Sequence, residues 1–439
     1  MVAYNLIKRN KSYTIAIIEK GKSLDKRNCP SISGKSNSNA CVSCRTCSVM
    51  NGIAGAGAFS DGKYIITTEY GGWLSKFISP SRALHYMEMA DRILMDFGAT
   101  DYRYMPNMDL KKLCLQNGLY IKQGEVKHLG TENNFSIMTQ LVAYLSEKCD
   151  ILTECEVTNV KKVEHIIEIK DYEEIKADNI IFAVGRSGSS FFIDWCQNNE
   201  IPLTNNGVDV GVRVELPSII WQDISSKVYD PKISYRSKQY GDNTRMFCFN
   251  EGGQVVTENT NGVITVNGHA YADSSLKSVN SNFALLSTIE FSEPFNKPID
   301  YLKHIAGIAN FISNGSVIVQ RYGDLINGRR TTNKRLQEST VCPTLQAVPG
   351  DLSLCIPKRQ LDNIIETIAQ LDKIAPGTAN YDTLLYGVEC KYYSARPEMN
   401  NFVLQGCSQI YACGDGAGIT RSLAQAAANG LYIADVLGS

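Results

Sequence analysis

Apolar and polar positions along this chain follow different periods in different stretches, and the changes of period mark out its elements. Ala3–Arg9 reads as the tail of an amphipathic helix, and Thr14-Ile15-Ala16-Ile17-Ile18 is an apolar run suited to a buried strand. That run ends in Glu19-Lys20-Gly21. A loop rich in Ser, Asn, Gly and Cys covers Asn28–Met50, and Gly52–Lys63 follows with its own cluster of small residues. Ser81–Phe97 predicts a helix, with Ser79 or Ser81 as cap, Pro80 near its start, and Leu84, Met87, Ala90, Ile93, Leu94 and Phe97 on one face. A second helix is expected over Phe135–Lys148. Val157–Val163, His165–Lys170 and Ile175–Lys176 then predict a small antiparallel unit, and Asn179–Gly185 a buried strand ending in glycine.

From about Pro202 to Tyr381 the pattern shortens to alternating strands, with Val208–Leu216 and Val255–Val266 the clearest, and one helix over Asp362–Asp372 closed by Pro376-Gly377. The chain then returns to an apolar strand, Ile410-Tyr411-Ala412, that runs into Cys413-Gly414-Asp415-Gly416-Ala417-Gly418 and a helical stretch, Thr420–Leu437. The expected class is α/β: a Rossmann-like domain split in sequence into residues 1–201 and 382–439, interrupted by a β-rich α+β domain over 202–381. The length, 439 residues, and a hydrophobic share of 44% suit two or three packed domains. With 44 basic against 45 acidic residues there is no basic field for nucleic acid or an anionic membrane. No apolar run approaches the roughly 20 residues that span a bilayer, and the first residues lack a signal-peptide core, so the expected address is the cytoplasm.

Several segments carry candidate chemistry. Glu19 closes a strand where a dinucleotide-binding unit places the acid that binds a ribose hydroxyl pair, with Lys20 beside it. Gly55, Gly57 and Gly62 let backbone approach a flat ring or a diphosphate, and Ser60, Asp61 and Lys63 add a hydroxyl, an acceptor and a cation. Gly414, Asp415 and Gly418 put one carboxylate and bare amides at a helix N-terminus, with Ile419, Thr420 and Arg421 following. Gly185 ends its strand in the same manner. The expected Gly-x-Gly-x-x-Gly before the first helix is not in this sequence; Gly52–Gly57 reads G-x-x-G-x-G. Either a first strand and glycine turn lie upstream of Met1, or strong dinucleotide binding has been lost; the first is the expectation here, because removing a first βα turn exposes apolar strand edges.

The strand-turn-helix around Gly414-Asp415-Gly416 resembles the C-terminal flavin-binding segment of FAD oxidoreductases built like glutathione reductase. Cys29-Pro30, Cys41-x-x-Cys44-x-x-Cys47, GIAGAGAFSDGK over residues 52–63, Asn267-Gly268-His269, Ser281–Leu286, Val319–Leu325, Gly328–Thr332 and Gly414–Arg421 together resemble the bacterial family of uncharacterised FAD-dependent dehydrogenases, from about Ala3 to Leu437. The resemblance implies FAD as cofactor and a small-molecule substrate, with Asp415 on the ribitol chain, the helix N-terminus facing the flavin ring, and Val157 meeting adenine by its backbone. Where that family has a second cysteine and a proline after the match to Cys248, Asn250 and Glu251 stand here, so no paired-thiol role is expected for Cys248.

Cys29, Cys41, Cys44 and Cys47 are the candidate metal ligands: four thiolates suit zinc or an iron–sulfur cluster, with plain reduced thiols and a redox disulfide as the competing readings. Arg329 and Arg330 are candidate anion binders, and Lys63, Lys391, Tyr392 and Tyr393 candidate proton carriers, while His269 reads as a loop histidine. No second glycine fingerprint supports a dedicated nicotinamide domain, so NAD(P)H or a protein electron donor would reach the flavin directly. The rival reading is a non-catalytic metal-binding protein on a degenerate flavoprotein scaffold. No catalytic acid or base is identified.

Overall fold

The computed structural model describes residues 1–9, 13–30, 44–260, 263–269, 275, 277–291, 295 and 297–438. They form two compact units: Met1–Tyr104 with Gly124–Thr204 and Ser394–Ser439, and Met105–Gln123 with Asn205–Tyr393. Residues 1–201 are expected from sequence as one unbroken part of the first domain; Met105–Gln123 instead groups with the second unit, where Leu119–Lys122 pairs antiparallel with Lys232–Arg236.

The first unit holds two parallel strand pairs. Ala16–Glu19 pairs with Asp150–Thr153, and Ile180–Phe182 with Ile410–Ala412. Among the described residues the two pairs lie in separate sheets, so the expected single Rossmann-like sheet is not formed by hydrogen bonding as one body. Val157–Lys161, Ile166–Ile169 and Ile175–Lys176 make the small antiparallel sheet. The helix Pro80–Asp96 lies one residue before the expected Ser81–Phe97: Pro80 occupies the first turn, and of the two candidate caps it is Ser79 whose Oγ accepts the Arg82 N–H, at 3.3 Å. Its buried face, which includes Tyr86, Met87, Ala90 and Leu94, joins a core shared with Ala424, Ala428, Leu431 and Ile433 of the C-terminal helix Leu423–Gly438. Each large apolar side chain buried there contributes roughly 1.5–3 kcal/mol.

The second unit is built on an eight-stranded sheet. Its strand order is Val348–Pro349, Ile318–Arg321, Leu384–Lys391, Val208–Pro217, Asn280–Ile289, Asn243–Asn250, Lys232–Arg236 and Leu119–Lys122. Val208–Pro217 alternates strictly. Val208, Val210, Val212, Val214 and Leu216 share a core with Leu302 and Ile305 of the helix Pro298–Ile312 and with Leu361, Ile364 and Ile368 of Lys358–Leu371. Such a strand ordinarily leaves its polar face in water. Here Asp209, Arg213 and Glu215 are fully buried as well. The hairpin Gln254–Thr260 with Val263–His269 contributes to this covering, since Asn267 Oδ1 accepts from Arg213. His269 thus ends a strand, not a loop. The helices Met108–Gln116 and Pro298–Ile312 have no counterpart in the sequence reading. No helix among the described residues is long and apolar enough to cross a membrane.

Candidate functional site

The parallel pair Ile180–Phe182 and Ile410–Ala412 runs in register, Ile180 opposite Ile410 and Phe182 opposite Ala412, so both strands end on one edge. In open parallel sheets ligands sit beyond that edge. Both strands leave through glycine at positive φ, Gly185 at 62° and Gly414 at 77°, and a Cβ added to either would meet nothing within 4 Å. Side chains rarely adopt this backbone, so glycine keeps both the turn and the open space. Gly416 holds the two turns together: a Cβ there would lie 2.3 Å from the Gly185 carbonyl oxygen. Asp415 is half-buried between them. Burial raises its carboxyl above the ordinary value, against the opposing pull of the Thr420 hydroxyl, which donates to Oδ1 at 2.7 Å, and of Arg186 at 3.8 Å. The Gly414 N–H donates to Asn429 Oδ1 of the C-terminal helix at 2.9 Å.

Glu19 ends its strand half-buried. Its Oε1 accepts the N–H groups of Gly21 at 2.7 Å and Gly52 at 3.1 Å, which ties the strand end to the glycine loop. Lys20 is exposed. Gly55 is exposed at φ 63°, again with nothing within 4 Å of an added Cβ. Gly57 lies against the first residue of the C-terminal helix: a Cβ there would come within 2.8 Å of Leu423 Cδ2. The Ser187 hydroxyl donates to Asn51 Oδ1 at 2.6 Å. Gly52, Gly55, Gly185 and Gly414 thus belong to one chain of contacts inside the first unit. Ser60 donates to the Gly57 carbonyl at 2.7 Å and accepts the Gly62 N–H at 3.2 Å. Asp61 sits 3.3 Å from Lys63 and 3.4 Å from His128, its partners across the strand pair Lys63–Ile66 and Glu125–His128. Burial pushes the Asp61 carboxyl up, but the His128 and Lys63 interactions outweigh it and hold the group below its ordinary value.

Three residues that sequence reading missed hold these turns. Arg27, buried, donates to the carbonyls of Ser48, Val49, Ile53 and Gly55 at 2.7–2.9 Å and lies 4.6 Å over the Phe59 ring. Asn134, fully buried, donates to loop carbonyls from the helix Thr131–Ser146. Trp73 follows Gly71-Gly72; its N–H donates to the Ile419 carbonyl at 2.8 Å, Gly72 bridges Thr420, and the Arg421 guanidinium stacks 4.1 Å from its ring centre. The Gly-Gly-Trp run was the available signal for Trp73. Nothing local marks Arg27 or Asn134.

The remaining candidates divide. Gly418 takes the left-handed conformation at φ 67°, and Ile419 is buried. Val157 starts the three-stranded antiparallel sheet and packs on the first unit's core. Cys29, Cys44 and Cys47 are free thiols, Cys41 lies outside the described residues, and among the described residues no three His, Cys, Asp or Glu side chains group to hold a metal. The expected four-thiolate site is therefore not formed by the residues that are placed; Arg27 fastens the turn beside Cys47 instead, through Ser48 and Val49. In the second unit Arg329 is bound by buried Asp324, Lys391 lies 3.6 Å from Glu389, and Tyr393 donates to Asp209, so these groups hold structure.

Residues 208–392 match a family model described as "FAD-dependent protein, C-terminal domain-like". An uncharacterized protein of Clostridium beijerinckii is 24% identical over 410 residues, 88% of this chain and 70% of its own length. Among solved structures, glycine oxidase of Bacillus cereus aligns over 100% of this chain and 92% of its own at 10% identity and a TM-score of 0.36. A 2-methyl-3-hydroxypyridine-5-carboxylic acid oxygenase aligns over 100% and 80% at 10% identity and 0.35. Likenesses this distant bear on neither substrate nor reaction.

Proposed function

We propose that this protein is an oxidoreductase that holds FAD on the glycine turns of its first unit and dehydrogenates a small-molecule substrate. The observation that carries the reading is the cradle itself. Gly55, Gly185 and Gly414 are bare backbone at positive φ, each facing open space, and are linked through Gly52, Ser187 and Gly416. A flat ring or a diphosphate needs such close backbone approach. Glu19 would hold the adenosine ribose, the Gly55–Gly62 loop would approach the pyrophosphate and ring, and Asp415 with Thr420 would hold the ribitol. The family match over residues 208–392 supports the same cofactor from the second unit.

Bound flavin supplies the hydride acceptor. The protein's own part is to orient: Gly416 locks two turns against each other, and Arg421 is kept beside Asp415 by stacking on Trp73. The reduced flavin would pass its electron pair to NAD(P)+ or to an acceptor protein; NAD(P)H or a protein donor would supply electrons only in the reverse direction, substrate reduction. The test is an absorption spectrum of protein purified without oxygen, before and after adding FAD. Paired flavin bands that bleach with dithionite support the reading; a protein that stays colourless and takes up no added FAD refutes it. Iron and zinc analysis of the same sample decides the cysteine loop separately.

A further inference from the structure

Resting on that flavin reading, we propose that Asn134 is the positioning residue that presets the Gly55–Lys63 loop for its ligand. Asn134 is fully buried, in the first turn of the helix Thr131–Ser146. Its Nδ2 donates to the carbonyls of Gly57 at 2.8 Å, Ala58 at 3.3 Å and Ser60 at 3.2 Å. Its Oδ1 accepts the Tyr64 hydroxyl at 3.3 Å, which fixes which end of the amide faces the loop. The two residues before the helix continue the grip: the Gly130 N–H donates to the Asp61 carbonyl at 3.0 Å, and the Leu129 N–H to Gly62 at 3.2 Å. Five carbonyls between Gly57 and Gly62 are therefore turned onto one helix start.

The fit at Gly62 shows how close this contact is. Gly62 stands at φ 65°, and a Cβ there would lie 2.9 Å from Asn134 Cβ. Buried carbonyls need donors, and only a primary amide offers two N–H groups with an acceptor behind them on so short a stem. Aspartate has the same shape and no donor when ionised. A loop held this way before the ligand arrives loses little freedom on binding, and that is what sets affinity at a backbone-lined site.

The test compares full-length wild type with N134A, N134D, Y64F and, as control, N133A, whose side chain bonds only the Leu129 carbonyl. FAD affinity is read by flavin fluorescence, and the hold on the loop by hydrogen exchange of amides 55–62. Folded N134A and N134D are expected to bind FAD about tenfold more weakly, the equivalent of one lost buried hydrogen bond, with faster loop exchange and N133A unchanged. Wild-type affinity in either folded variant overturns the proposal. If neither folds, Y64F decides: about threefold weaker binding is expected from loss of an orienting hydroxyl, and unchanged binding overturns it. If wild type itself binds no FAD, the flavin reading has failed on its own account, and unchanged loop exchange in the variants then overturns the role of Asn134.

Discussion

In the first unit the groups gathered around Gly55, Gly185 and Gly414 are backbone atoms left bare by missing side chains; in the second, Asp209, Arg213, Glu215 and Glu389 are charged side chains, fully buried and each met by polar partners: Arg213 pairs with Glu389, Asp209 with Arg245, and Glu215 with neutral donors. Arg213 meets Glu389 at 2.9 Å, Asn267 at 3.0 Å and the Cys248 carbonyl at 3.0 Å. Glu215 accepts from Tyr386 and Thr344, each at 2.5 Å, and from Asn280 at 3.1 Å. The contrast teaches where chemistry is to be sought. A buried charge whose hydrogen-bonding capacity is spent internally has little left for a ligand, however conspicuous it is in sequence. A bare amide facing open space is inconspicuous, yet it is the group a cofactor can reach.

The largest effect is expected on the stability of the second unit. Removing Glu389 strands the Arg213 guanidinium in the interior, so E389A is expected to cost about 3–5 kcal/mol in urea unfolding; a loss below about 1 kcal/mol would mean the face is not closed. Next comes D415N. It is expected to weaken FAD about tenfold through loss of a charged acceptor, while making the ligand-free protein more stable at pH 7. The sign follows from burial, which raises the folded carboxyl above 3.8: the folded state is favoured by protonation, and stability is lost as pH rises through the folded value. Asparagine removes that loss, so the gain in melting temperature should vanish as pH falls toward 3.8.

Asp61 carries the opposite sign. Its carboxyl is held below 3.8, so its contribution is present above that pH and is lost as pH falls through the folded value. With the side chain 45% exposed, the effect is no more than about 1 kcal/mol, and D61N should flatten the acid limb of the stability curve by that much. The smallest effect is expected from R330A. Arg330 is exposed, and its neighbour Arg329 is the one that binds Asp324, so thermal unfolding of R330A should stay within about 0.5 kcal/mol of wild type.

Much of the local architecture was legible. The helix Pro80–Asp96 announced itself by cap, proline and a 3.6-residue face, and the strand ending in Gly-Asp-Gly by its turn residues. Periodicity misplaced less distinct elements. Met108–Gln116 escaped notice because Met108, Leu113 and Leu115 are exposed, so its apolar positions do not mark a buried face. The cysteine loop is a different case: regular spacing shows that thiolates can meet, Cys41 lies outside the described residues, and the described part of that loop is fastened through carbonyls by Arg27.

Sequence by itself determined the strongly patterned strands and helices, the glycines at the strand ends and Asp415 after the last strand, because these follow from steric rules acting within a few residues. Only the tertiary structure decided which distant side chains complete them. Asn134 reaches a loop 77 residues earlier in the chain at Gly57, and Glu389 neutralises an arginine 176 residues away. Pairings at that range are selected by burial, where an unmatched carbonyl or charge costs free energy that water would otherwise have supplied, and no short window of sequence records which partner will be there.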